Sequence, residues 1–277
     1  MRHLKGRVAA ITGAASGIGR ALAVELAERG MKLAVSDIDQ EGLARTAERI
    51  EEAGGEVFCA EVDVSDREAV YAWADRVVET YGAAHLIINN AGVSVTASVE
   101  GLEYADFEWI MSINFWGVVY GTKAFLPHLR AADRGHVVNI SSILGIVGYP
   151  CQAAYNAAKF GVRGFTESLR AELEYEGSTV SATCVHPGGV KTGIARASRT
   201  GPTGAMNQSR EELIAEFEEE LARLSPEDAA RQIVKGIRRD RRRVLVGNDA
   251  RLIDFVQRMV PSGYLGALAR LLRLRDR

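Results

Sequence analysis

Cysteine is scarce: three residues in 277, at positions 59, 151 and 184, with no CxxC pair among them. That excludes a disulfide scaffold and gives no expectation of a metal site; reduced thiols in a cytoplasmic protein are expected. Long apolar runs are missing too. Nothing approaches the roughly 18 residues of a membrane span, and Val8-Ala9-Ala10-Ile11 is too short for a signal-sequence core. Excess charge of one sign is also absent. The net −2 offers no field for nucleic acid, so none is expected as a partner. Apolar residues at 47% and charged ones at 25% exclude a disordered chain.

What is present is a rhythm. β-rich apolar runs at 7–12, 32–36, 57–62, 85–89, 135–141 and 179–186 alternate with helical-period segments at 18–29, 40–53, 67–81, 107–130 and 155–174. Leu86-Ile87-Ile88 and His136-Val137-Val138-Asn139-Ile140 are almost continuously apolar, as strands covered on both faces must be. The pattern predicts an α/β fold: a Rossmann-type, doubly wound parallel sheet of about seven strands between helical layers. Residues 1–247 form one domain on this reading, with 243–246 its last strand and 248–277 a C-terminal helical extension. The segment 191–208 has no period and reads as a lid loop. Ser209–Leu224 resumes as a charged helix, and Ser225-Pro226-Glu227-Asp228 has the chemistry of a helix start.

Thr12-Gly13-Ala14-Ala15-Ser16-Gly17-Ile18-Gly19 stands between the first strand and the first helix. Positions without side chains let a diphosphate approach the backbone, and the helix N-terminus supplies free N–H donors. Gly13, Ser16, Gly17, Ile18 and Gly19 are therefore candidate cofactor contacts. Asp37 ends the second strand, where a carboxylate accepts from ribose hydroxyls and repels a 2′-phosphate. Ala14, Ala15 and Ile38 add no cation, so NAD is expected over NADP. Asp63-Val64 follows the third strand and could bracket the adenine, or the Asp could merely end the strand.

Tyr155 and Lys159 lie four apart in Tyr-Asn-Ala-Ala-Lys and project from one helix face. An ammonium beside a phenol favours the phenolate, and the expectation is a tyrosine pKa lowered from about 10. Such a group can pass a proton to or from a substrate oxygen. Ser142, thirteen residues upstream of Tyr155, can hydrogen-bond that oxygen; Ser141 is its competitor.

Together with Asn89-Asn90-Ala91-Gly92, Asn114 and Pro187-Gly188, these residues resemble the short-chain dehydrogenase/reductase family in its compact branch, over roughly residues 5–247. The spacing Gly-x-x-x-Gly-x-Gly is that family's own. The resemblance implies that Tyr155 is the acid/base, that Lys159 lowers its pKa and meets the nicotinamide ribose, and that Ser142 orients the reacting oxygen. Asn114 would hold a relay water. Asn90, Ala91 and Gly92 would line the adenosine-ribose side, and Pro187, Gly188, Val190 and Thr192 the nicotinamide. It also implies a homotetramer or homodimer built through helices 107–130 and 155–174. His186 stands where the family often has Asn before Pro-Gly, and is read as structural.

The expected reaction is hydride transfer between NAD(H) and a small-molecule secondary alcohol or ketone. An NAD-dependent epimerase or dehydratase, or a non-enzymatic NAD-binding protein, is the less favoured alternative. Ser142, Leu144, Tyr149, Tyr155, Gly189 and Ile194 are the expected substrate contacts. With Val93, Val95, Ile143, Ile146 and Val147 they make a mostly apolar wall without a basic fork, which suggests a hydrophobic substrate. From Lys235 to Arg277, twelve Lys/Arg face four Asp/Glu, a local +8. That basic amphipathic tail is expected to dock over the pocket or a neighbouring subunit, ahead of peripheral membrane contact.

Overall fold

The computed structural model describes residues 1–275. β1 (Val8–Thr12), α1 (Gly17–Ala27), β2 (Lys32–Asp37), α2 (Gln40–Glu52), β3 (Val57–Glu61), α3 (Arg67–Tyr81) and β4 (Leu86–Asn89) follow in the expected alternation. Helix starts have local chemical causes. Asp39 accepts from the Gly42 amide at α2, and Asp66 accepts from Glu68 and Ala69 at α3. A short β5 (Val95–Thr96) precedes α4 (Tyr104–Met111), α5 (Gly117–Ala131), β6 (Gly135–Ile140), α6 (Ala153–Tyr175) and β7 (Val180–Pro187). The remainder is β8 (Arg199–Thr200), α7 (Arg210–Ala215), α8 (Pro226–Arg238), β9 (Arg243–Val246), α9 (Asn248–Met259) and α10 (Gly263–Arg275). Ser225 caps α8 and Pro226 begins it, as its sequence requires.

Seven strands form one parallel sheet in the order β3-β2-β1-β4-β6-β7-β9. The order reverses between β1 and β4, which opens a crevice beyond the strand ends. Every residue of β1, β4 and β6 is buried, because helices cover both sheet faces. On one face Leu22, Leu26, Ile50, Ile233 and Ile237 pack from α1, α2 and α8. On the other, Trp73 of α3 meets Phe125 of α5 edge-on at 5.2 Å, above Val137. Burying each such side chain contributes about 1.5–3 kcal/mol, so the sheet floor of the crevice is rigid.

Two expectations need correction. The helix expected at 107–130 is interrupted by a π-turn at Ser112–Trp116 between α4 and α5. The segments on either side each keep a helical period of their own, and the turn between them carries no proline or other breaker, so the pattern does not reveal it. The lid segment 191–208 is not structureless: β8 pairs with β5, Val95 opposite Arg199. Arg199 stacks 3.7 Å above the Trp109 ring and pairs with Asp106, a long-range latch without local signature.

Candidate functional site

The crevice begins where β1 and β4 end. Thr12 Oγ1 accepts from the amides of Asn90 (3.0 Å) and Ala91 (3.1 Å), and the Asn90 side chain donates to the carbonyls of Thr12 and Gly13. Gly13 has φ +65°, and a Cβ there would lie 2.6 Å from the Ala91 Cα; only glycine fits. A Cβ on Gly19 would collide with the Gly13 carbonyl and the Asn90 side chain. The glycine shapes the turn by close packing and is not one of the lining residues expected of it.

A cavity of about 1710 Å³ runs from this turn to the C-terminal helices. Its first part is lined by Gly13, Ser16, Gly17, Ile18, Asp37, Asp63, Val64, Asn90, Ala91 and Gly92. Asp37 Oδ2 accepts from the Ala15 amide at 2.9 Å, which fixes the carboxylate against the glycine turn. Asp63 accepts from the Ser65 amide and hydroxyl, the strand-ending role kept open above, while still lining the cavity. Thr192 lies over Gly17, and Pro187, Gly188 and Val190 continue the wall. The corner formed by Asp37, Ile38, Val62, Asp63 and Val64 holds two acids and no base.

Deeper in, the two serines divide. Ser141 donates to the Lys159 backbone carbonyl at 2.8 Å, whereas the Ser142 hydroxyl accepts from the Leu144 amide at 3.1 Å and lines the cavity with Tyr155, whose pKa it acts to lower. Lys159 Nζ lies 5.6 Å from the Tyr155 ring centroid and donates to the Ile140 carbonyl at 3.0 Å. The expected lowering of the tyrosine pKa is not what this geometry gives. Lys159 is buried and Tyr155 partly so, and loss of solvent disfavours each charged form. It pushes the phenol up to about 12, partly offset by Ser142, and pulls the ammonium down to about 8.

Asn114 is fully buried inside the π-turn. Its Oδ1 accepts from the Val93 amide and its Nδ2 donates to the Val93 carbonyl, both at 2.8 Å, so the side chain clamps the strand leading to β5. A Cβ at Gly92 would sit 3.3 Å from Asn114 Oδ1 and 3.5 Å from Lys159 Nζ. The absent side chain leaves room between them. His186 is buried, and its Nδ1 bonds the Ser142 carbonyl at 2.9 Å. A carbonyl only accepts, so Nδ1 carries the proton; burial pulls the imidazole down to about 4. This is a support for the serine.

Ser142, Leu144, Tyr149, Tyr155, Gly189 and Ile194 all line the cavity, with Val93, Ile143 and Val147. Val95 and Ile146 do not; both turn into the interior. Sequence reasoning also missed several supports. Asn156, inside the Tyr-Lys motif, donates to the carbonyls of Leu144 (2.7 Å) and Val147 (2.9 Å) and accepts from Tyr149, shaping the loop after Ser142. Arg210 and Arg223 line the wall, each donating to a backbone carbonyl. Leu252, Ile253, Val256, Val260, Tyr264 and Leu268 of the C-terminal helices close the far end. The amphipathic pattern of that tail was the available signal. Among the described residues no cluster of His, Cys, Asp and Glu could hold a metal, and no helix is long and apolar enough to cross a membrane.

A family profile described as short chain dehydrogenase matches residues 7–203. SadH of Mycobacterium tuberculosis, a proposed oxidoreductase, is 48% identical over 264 residues, covering 95% of this chain and 94% of its own. Human estradiol 17-beta-dehydrogenase 11 is 30% identical over 272 residues, with 97% and 84% covered. A short-chain dehydrogenase/reductase from Burkholderia phymatum, crystallised with NAD, superposes with a TM-score of 0.81 at 34% identity, covering 88% of this chain and 90% of its own. Levodione reductase superposes at 0.77 with 29% identity, covering 89% and 98%.

Proposed function

This chain belongs to the short-chain dehydrogenase/reductase family, an oxidoreductase family, and on that footing we propose that it moves a hydride between NAD(H) and an apolar secondary alcohol or its ketone. The observation that carries this reading is the gathering of Ser142, Tyr155 and Lys159 in one cavity with the glycine turn and Asp37.

The residues of the first compartment suit a dinucleotide. Gly13 and Gly17 leave backbone bare where a diphosphate would lie, and Asp37 is held beside them. Its charge favours ribose hydroxyls and opposes a 2′-phosphate, which argues for NAD over NADP. When bound, the nicotinamide dinucleotide supplies the hydride acceptor or donor. The chain's own residues handle the proton. In the oxidation direction Tyr155 takes it from the alcohol, and Ser142 donates a hydrogen bond to the oxygen on which charge develops. Lys159 is the cation beside Tyr155 that favours the ionised phenol. Ile143, Leu144, Val147 and Ile194 surround the reacting oxygen with apolar surface and exclude water.

A lipid-like or steroid-like alcohol fits this lining, and estradiol, named in the human relative, is one such molecule. Tyr155→Phe deletes only the hydroxyl. It is expected to abolish formation of reduced nicotinamide with apolar secondary alcohols while preserving NAD binding; near-native turnover would refute the assignment. In the same assay Asp37→Ala should narrow the NAD preference by roughly tenfold or more, because about 1.4 kcal/mol corresponds to tenfold.

A further inference from the structure

Among the described residues, half of the large apolar side chains that remain exposed, eight of sixteen, fall in α9, α10 and the short segment joining them. Isolated exposed apolar residues are ordinary; a contiguous group marks a contact surface. Phe255 is 61% exposed, Met259 67%, Leu265 52% and Leu274 68%, and none of these lines the cavity. Leu252, Val256, Val260 and Leu271 are exposed and also line it. The apolar patch and the mouth of the cavity are therefore one surface.

Its charge is mainly basic: α9 and α10 carry five arginines against Asp249 and the buried Asp254. From Phe255 to Arg275 there are four arginines and no acidic residue, in a chain that is net acidic. Arg258 pairs with Asp254, but Arg270 and Arg273 have no acidic partner among the described residues. On α10 the polar side chains are Tyr264 and arginines only. Tyr264 and Leu268 turn inward to the cavity, while Leu265, Arg270, Arg273 and Leu274 face out. A helix facing only water would carry charged and polar groups on that side and not Leu265 and Leu274 as well.

We propose that α9 and α10 seat on an anionic lipid bilayer. Phe255, Met259, Leu265 and Leu274 enter the headgroup–acyl boundary, Arg270 and Arg273 meet lipid phosphates, and apolar substrate reaches the cavity from the membrane. The seating on lipid goes beyond the redox reading and does not depend on it; only the route of the substrate rests on that reading. A second copy fits the surface less well, since a two-fold contact would set arginines against arginines.

The test is sedimentation of the full-length protein with vesicles. The protein is expected to pellet with equal parts phosphatidylglycerol and phosphatidylcholine, less so at high salt, and to stay in solution with phosphatidylcholine alone. Each arginine near such a surface contributes roughly fivefold in partition, so R270Q/R273Q should lose roughly 25-fold. F255S/M259S, outside the cavity, should also release the protein while leaving turnover of a small soluble alcohol intact. Wild type remaining in the supernatant, or both variants pelleting like wild type, would overturn the proposal. So would light scattering showing that F255S/M259S dissociates a dimer that buries this face. Vesicle binding needs no turnover, so its failure is separable from failure of the dehydrogenase reading.

Discussion

The backbone N–H of Gly148 donates to the hydroxyl of Tyr264 at 3.0 Å, joining the loop after Ser142 to the C-terminal helix 116 residues away. One end of that bond belongs to the loop shaped by Asn156, the other to the wall that closes the cavity. Tyr264→Phe keeps the ring and removes the acceptor, a loss of about 1 kcal/mol. We expect KM for large apolar alcohols to rise roughly fivefold, with small alcohols and NAD affinity unchanged. Equal effects on small and large substrates would show that the bond does not position the wall.

The Tyr155–Lys159 pair has a pH signature. With the phenol near 12 and the ammonium near 8, the pair loses its first proton at about 8. The singly deprotonated pair includes the tyrosinate–ammonium form, so the titration belongs to both residues together. Oxidation should therefore gain roughly tenfold in kcat/KM per pH unit below that point and level above it. Reduction, which needs the phenol, should fall above it. In Lys159→Met the limb should move from about 8 toward about 12; a limb that stays in place would assign the titration to another group.

His186 links the same site to acid stability. Its folded pKa of about 4 lies below the ordinary 6.5, so the unfolded chain takes up the proton first. The contribution is whole above pH 6.5 and is lost as pH falls toward 4, on the order of 3 kcal/mol in all. His136, buried and pulled down to about 3, acts in the same direction. His186→Asn can still donate to the Ser142 carbonyl and does not titrate. Thermal melts are expected to show about 2 kcal/mol less acid loss near pH 5 than wild type. Equal losses would mean that His186 is not buried neutral.

Much of the site was readable because its requirements are local. The glycine turn needs backbone without side chains, a strand-end carboxylate needs one position, and a Tyr and Lys four apart share a helix face whatever surrounds them. Continuous apolar strands likewise disclosed a sheet covered on both sides. The remainder depends on which distant segments meet. Nothing near Arg199 names Trp109, nothing near Gly148 names Tyr264, and no breaker residue marks the π-turn that holds Asn114. The amphipathic tail showed in sequence that it would bury one face, but only its packing decided that this face walls the cavity while the other stays open.

The ionisation of the central pair belongs to that second class. Spacing places an ammonium beside a phenol and so argues for phenolate. The folded chain buries Lys159 and covers much of Tyr155, and loss of solvation, which no local pattern carries, outweighs their proximity and sets both pKa values. The chain's sequence thus determined the parts and their order, while tertiary packing determined the electrostatics, because desolvation is a property of everything packed around a group.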